Sequence, residues 1–225
     1  MQIFRVLLSS LLLLAFSGCA TLDVTQRKAL DPVGEKQPVT LGVQVSGDSQ
    51  QKTVDTPKGT VELGTKASGG MLAEALDTSE DSIIKASSGK LFEKVVMLPT
   101  ESESMEPKEI NSAYKVDYIM SVGVGGISVS HKLNPIWFAS FPMIFFKKYA
   151  PIVTFEPKVS LDVKLIDAAN GAILMQKQVT ETSADHYAPK DPRSKVRNLV
   201  SLTIKNAMVP IMNEARRSIA AVRQK

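Results

Sequence analysis

The sequence predicts an α+β domain: a single mixed or antiparallel sheet that includes a β-hairpin, with a long C-terminal helix packed on one face. Three stretches predict it. Val159, Leu161, Val163 and Leu165 alternate with Lys158, Ser160, Asp162 and Lys164, the period of a strand with one buried face. Asp167-Ala168-Ala169-Asn170-Gly171 then turns the chain into a second strand over 173–182, because Asn-Gly tolerates the positive φ that hairpin turns demand. Val196, Leu199, Val200, Ala207, Met208, Ile211, Ala215, Ile219 and Val222 recur on one face of a helix, with Pro210 as the place for a kink.

The earlier elements follow in order. Leu41, Val43 and Val45 give the alternation of a half-buried strand starting at Val39, closed by the turn residues Ser46-Gly47-Asp48-Ser49. A weaker strand runs through Val61 and Leu63. Thr78 or Ser79 can cap a helix in which Ile83, Ile84, Ser87 and Leu91 share a face, with Glu80 and Asp81 in its first turn, where the helix dipole favours them. Gly89 works against that helix. Val95 to Leu98 is a short buried strand stopped by Pro99, and 100–112 is a loop or a short helix. Residues 116–130 form a long strand, bent or bulged at Gly123, Gly125 and Gly126. No internal repeat is evident.

Composition narrows the function classes. At 225 residues, 44% hydrophobic and 22% charged, the chain can bury one sizeable core and is not a disordered tail. Its 27 Lys and Arg against 23 Asp and Glu leave +4, too weak a bias to imply nucleic acid. One cysteine excludes a disulfide framework within the chain, and two histidines leave little material for a metal site. Ser82-Ile83-Ile84-Lys85 and Ser87-Ser88-Gly89-Lys90 match Ser-x-x-Lys, but the companion Ser-Asp-Asn and Lys-Thr-Gly motifs are missing. Gly123-Val124-Gly125-Gly126 lacks dinucleotide-binding spacing, and Gly89-Lys90 lacks the upstream glycine of a phosphate loop. His131 and His186 stand far apart, and Asp185-His186-Tyr187 reads as a solvated loop after the hairpin. The expectation is a protein that is not an enzyme and carries neither cofactor nor metal.

The amino terminus states an address. Met1 to Arg5 carries one positive charge, Val6 to Phe16 is apolar over 11 residues, and Ser17-Gly18 precedes the sole cysteine, Cys19. That is the order of a secretory signal. The rival is an uncleaved anchor, but a spanning helix needs about 20 predominantly apolar residues. Ser9, Ser10, Ser17, Gly18 and Thr21 dilute this stretch. The expected organisation is a signal peptide over 1–18, a tether over 19–38 punctuated by Pro32, Gly34 and Pro38, and a domain over 39–225. As a flexible coil the tether would span about 25 Å.

Leu11 to Leu14 followed by Ser17-Gly18-Cys19 resembles the lipobox of bacterial lipoproteins, with Phe16 standing where that family usually has an aliphatic residue. The resemblance implies cleavage before Cys19, a diacylglycerol on its thiol and a further acyl chain, such as palmitate, on the freed amine. A thioether resists hydrolysis, and each buried methylene contributes about 0.8 kcal/mol, so several chains hold a protein on a bilayer far better than one. Ala20 is not the Asp that marks inner-membrane retention in many Gram-negative lipoproteins. By the resemblance, the protein sits on the outer membrane, facing the periplasm.

Two further features rise above background. Trp137, Phe138, Phe141, Phe145, Phe146 and Tyr149 are six of the 13 aromatic residues, gathered in 13 positions and broken by Pro142. With Lys147 and Lys148 beside them, they suit a lipid headgroup boundary or a partner's groove. A loop folded over the domain's own sheet is the competing possibility. From Lys190 to Lys225 nine bases face two acids, a basic C-terminal helix that meets anionic groups or is simply solvated.

The succession of strand, helix, strand, strand, hairpin and helix over roughly 39–222 is similar to small periplasmic lipoproteins with an anticodon-binding-domain-like fold. That group includes auxiliary lipoproteins of envelope transporters, activators of peptidoglycan synthases, and subunits of curli and exopolysaccharide export rings. The resemblance implies a protein that acts by contact: an anchored lipoprotein that docks on or steadies an envelope assembly, or a subunit of a homo-oligomeric ring. The expected partners are the membrane, through lipidated Cys19, and an envelope protein.

Overall fold

The computed structural model describes residues 25–30, 36–46, 53–56, 59–62, 70–78, 82–133, 153–187 and 192–224. Their order is β1 (Gln37–Ser46), β2 (Thr53–Thr56), β3 (Gly59–Glu62), α1 (Gly70–Ala73, continued by a π turn to Thr78), α2 (Ile83–Ser87), β4 (Phe92–Met97), a 3-10 turn (Thr100–Ser104), α3 (Pro107–Tyr114), β5 (Tyr118–Leu133), β6 (Val153–Asp167), β7 (Ile173–Thr182), β8 (Asp185–Tyr187) and α4 (Pro192–Arg223). The main sheet runs β4-β1-β5-β6-β7, with β8 also on β6, and β2 and β3 form a separate hairpin. This is the expected α+β architecture, a mixed sheet with the C-terminal helix against it.

β1 lies between β4 and β5 and pairs parallel with both. Parallel strands are covered on both faces, and β1 obeys that rule rather than the half-buried pattern its alternation suggests. Gly42 and Gln44 are buried along with Leu41 and Val43. The second face is covered near its start by a small cluster of Leu98, Val116, Ile119, Ala168 and, from α3, Ile110. Gln44 escapes an unpaired burial by donating from Nε2 to Ser102 Oγ at 3.0 Å.

β5, β6 and β7 are antiparallel. The register of β5 on β6 shifts between Val124 and Gly126, where the glycines predicted a bulge. A Cβ on Gly125 would stand 2.7 Å from Asp162 Oδ2, so a side chain there would have to displace the Asp162 carboxylate. The β6–β7 connection is longer than a two-residue turn. Gly171 has φ of +75° and Asn170 does not share it. Asp167 Oδ1 accepts from the Ala169 N–H and Asn170 Oδ1 from the Ala172 N–H, each at 2.8 Å, so side chains close the loop.

α4 is 32 residues long, and β6 is 15. At 1.5 Å and 3.3 Å per residue these are matched lengths of about 50 Å, and the helix packs chiefly along β6 and β7. Its core face is the predicted one with Ile204 and Met212 added, both fully buried. Val222 corrects the expectation: it is 42% exposed, whereas Ile219, one turn earlier, is fully buried. The helix continues through Pro210, which lies on its exposed side.

α2 begins later than expected. Ser82 is its N-cap, accepting from the Lys85 N–H at 3.3 Å, and its hydroxyl donates to the Leu76 carbonyl. Ile83, Ile84 and Ser87 face inward as predicted, but the helix ends at Ser87 and Leu91 is buried from the turn that follows Gly89, φ +77°. Leu63, Ser79, Glu80 and Asp81 lie outside the described residues.

Candidate functional site

β5 and β6 outrun the rest of the sheet. β1 ends at Ser46, level with Gly123, while β5 and β6 continue as a paired arm until Leu133 meets Val153. Its edge is β8, in which Val153, Thr154 and Phe155 pair with Tyr187, His186 and Asp185. That corrects the solvated loop expected for Asp185-His186-Tyr187. The strand forms because β7 breaks at Ser183 and Ala184 and then resumes pairing along β6. On the arm, exposed His131 pairs with buried Phe155, their ring centroids 6.5 Å apart.

Against the break lies a segment expected to be free tether. The Thr25 N–H donates to the Ala184 carbonyl at 3.1 Å, and the Ala184 N–H donates to Thr25 Oγ1 at 2.7 Å. Further along, Asn206, fully buried in the middle of α4, accepts from the Lys28 N–H at 2.8 Å and donates from Nδ2 to the Gln26 carbonyl at 3.1 Å. The Lys28 ammonium reaches both carboxylate oxygens of Glu181 at 2.7 Å, and Leu30 packs on the main core. Residues 25–30 therefore form a strap along the groove between the β7–β8 edge and α4. The sequence offers no periodic signal for it, since most of its hydrogen bonds are made by main-chain groups and its side-chain contacts, from Thr25, Lys28 and Leu30, follow no repeat.

Of the predicted site residues, Cys19 and Trp137, Phe138, Phe141, Phe145, Phe146, Lys147 and Lys148 lie outside the described residues. The two stems of the aromatic segment, Leu133 and Val153, are paired neighbours at the tip of the arm. The basic residues of α4 are largely engaged locally: Arg197 pairs with Glu74, and Arg223 donates to the Pro38 carbonyl at 3.3 Å.

The outer face of the sheet holds an open trough of about 660 Å³ lined by Ser46, Ser121, Gly123, Asp162, Lys164 and Gln178. Gln178 Nε2 donates to Asp162 Oδ1 at 2.9 Å across its floor. It is a polar, hydrogen-bonding surface without a nucleophile and base in contact. The Ser-x-x-Lys serines have other surroundings: Ser82 is a helix cap, and Ser87 is fully buried. Among the described residues there is no cluster of three or more His, Cys, Asp or Glu that could hold a metal ion, and no helix is long and apolar enough to cross a membrane.

No protein-family model and no curated protein matches the chain. Solved structures do resemble it. A Xanthomonas campestris protein of family model DUF330 matches at 14% identity, covering 90% of this chain and 98% of that one, with a TM-score of 0.45. The PelC dodecamer of Paraburkholderia phytofirmans matches at 15% identity over 83% and 95% with a TM-score of 0.35, and a Neisseria meningitidis lipoprotein at 11% over 77% and 99% with 0.35. These are similarities of chain outline, and none transfers a role to a residue here.

Proposed function

We propose that the chain is a noncatalytic lipoprotein, cut before Cys19, anchored to the outer membrane by acyl chains on that residue and facing the periplasm, where its domain docks on or steadies an envelope assembly. The observation that supports this best is that two membrane-seeking features of the sequence lead to one end of the fold. Thr25, the first described residue after Cys19, is bound at Ala184; of the stems of the aromatic segment, Val153 is one strand away on β6 and Leu133 is its partner on β5. Anchorage confines the domain to a thin shell beside the bilayer and so raises its effective concentration for a partner there. Trp137, Phe138, Phe141, Phe145 and Phe146, with Lys147 and Lys148, would then make the lipid or partner contact.

The test has two arms. Radiolabelled palmitate is expected in the wild type, and Cys19→Ala is expected to leave the membrane fraction; an unlabelled wild type refutes the anchor. Phe145→Glu is expected to weaken contact with lipid or partner at unchanged thermal stability, whereas a collapse in stability would assign the segment to the domain's own core.

A second reading, a subunit of a homo-oligomeric ring, draws on the two ends of the sheet: among the described residues, β4 and β7 each pair with a single strand. Edge strands are the usual place for a second copy to add. Sedimentation of the soluble domain at low concentration separates the two, because a ring persists and a docking monomer does not form one.

A further inference from the structure

We propose that the strap over residues 25–30 fixes which end of the domain meets the bilayer: the tip of the β5–β6 arm lies against lipid, and the α3 end points away from it. The proposal rests on the acylation of Cys19 put forward above, and deepens it by naming the lipid-facing surface.

The argument is one of reach. Cys19 to Thr25 is six residue steps, which at full extension cover about 21 Å. Thr25 is bound at Ala184, next to the residue that pairs with Phe155. From there the tip at Val153 is three residues along β6, about 10 Å, and the turn after Asp167 is eleven or more residues the other way, about 36 Å. A leash of about 21 Å therefore reaches past the tip and cannot reach the far turn. Without the strap the first fixed residue would be Gln37 at the start of β1, eighteen steps from Cys19, and a leash of about 60 Å would allow either end to touch the membrane. Six residues of strap thus convert a free tether into an oriented one.

Lipid is the occupant because the acyl chains on Cys19 hold a bilayer within the leash's reach of the tip. Of the described charges nearest it, Lys132 pairs with Glu156 at 2.9 Å, and Asp185 adds a carboxylate opposite Phe155. Such a tip owes its place at the headgroup layer to the anchor rather than to attraction for anionic lipid. The strap carries the orientation and the acyl chains carry the affinity.

The experiment uses the full lipidated protein in phosphatidylethanolamine–phosphatidylglycerol vesicles containing a headgroup spin label. Since Cys19 is the sole native cysteine and is blocked as a thioether, a single added thiol takes a fluorophore uniquely. Lys132→Cys marks the tip and Lys108→Cys, on exposed α3 beside the far turn, marks the other end. The tip fluorophore is expected to be quenched several-fold more than the α3 one. A ten-residue Gly-Ser insertion between Leu22 and Asp23, which leaves the strap and the fold alone, is expected to shrink that difference. Equal quenching at both sites, or a difference the insertion does not change, overturns the proposal. Failure of acylation itself reads differently: the protein stays out of the vesicle pellet and its mass lacks the acyl chains.

Discussion

Asn206→Ala removes a side chain that bonds the strap to α4. Asn206 is fully buried and makes two bonds to the strap, one accepted from the Lys28 N–H and one donated to the Gln26 carbonyl. At about 0.5–1.5 kcal/mol net for each, their loss costs about 1–3 kcal/mol. Two effects reduce it. Gln26 and Lys28 are exposed, so water can take over their main-chain groups, and alanine is the better helix former by roughly 0.5 kcal/mol. The expected net loss is about 1–2 kcal/mol, a fall of about 3–6 °C in Tm for a domain of this size. Calorimetry measures the global term and amide exchange the local one. The Lys28 amide should lose its protection, while amides in the middle of β6 change only by the global amount. An unchanged Tm together with a still-protected Lys28 amide would refute the strap's attachment at Asn206.

Three other outcomes follow from the packing. Gly42→Ala is expected to cost about 1–3 kcal/mol, because its Cβ would meet Leu98 Cγ at 3.1 Å and the stiff Val116 Cγ1 at 3.2 Å; chemical denaturation measures this, and a neutral result would show that the second cluster is loosely packed. Ser87→Ala is expected to stabilise by about 1 kcal/mol, since Ser87 Oγ is buried without a hydrogen-bond partner among the described residues; a loss of similar size would reveal one. Burial pushes the Tyr118 hydroxyl above its usual 10.0, the Asp167 carboxylate adds to the rise and Arg223 opposes it. The folded state therefore keeps a proton that the unfolded chain releases, so stability is full below about pH 10 and declines above it. Urea midpoints of the wild type should fall between about pH 9 and pH 11 more steeply than those of Tyr118→Phe, and parallel slopes would contradict this.

The legible part of the fold was the part written in periodic apolar residues. The β6–β7 hairpin, the core face of α4 and the bulge at Gly123–Gly126 all follow from local pattern. Burial on both faces of β1 did not, because the alternation of Leu41, Val43 and Val45 describes one face, and only its two parallel neighbours decide the other. α1 went unpredicted although Leu72, Ala75 and Leu76 carry helical spacing; a helix so short draws its stability from packing on α4 rather than from its own signal. α3 was open between loop and helix because its N-cap is Glu106, an uncommon choice, completed by Glu109 as a reciprocal cap. The strap was illegible for a plainer reason. Its bonds join main-chain groups of Thr25, Gln26 and Lys28 to partners about 160–180 positions away, and main-chain groups are the same in every sequence.

The central claim is a chain fixed to the envelope through Cys19, and intact-mass measurement of the protein extracted from membranes tests it most directly. A species that begins at Cys19 and carries a diacylglycerol and an amide-linked acyl chain is the predicted result. A full-length chain beginning at Met1, with no added lipid mass, would contradict the account.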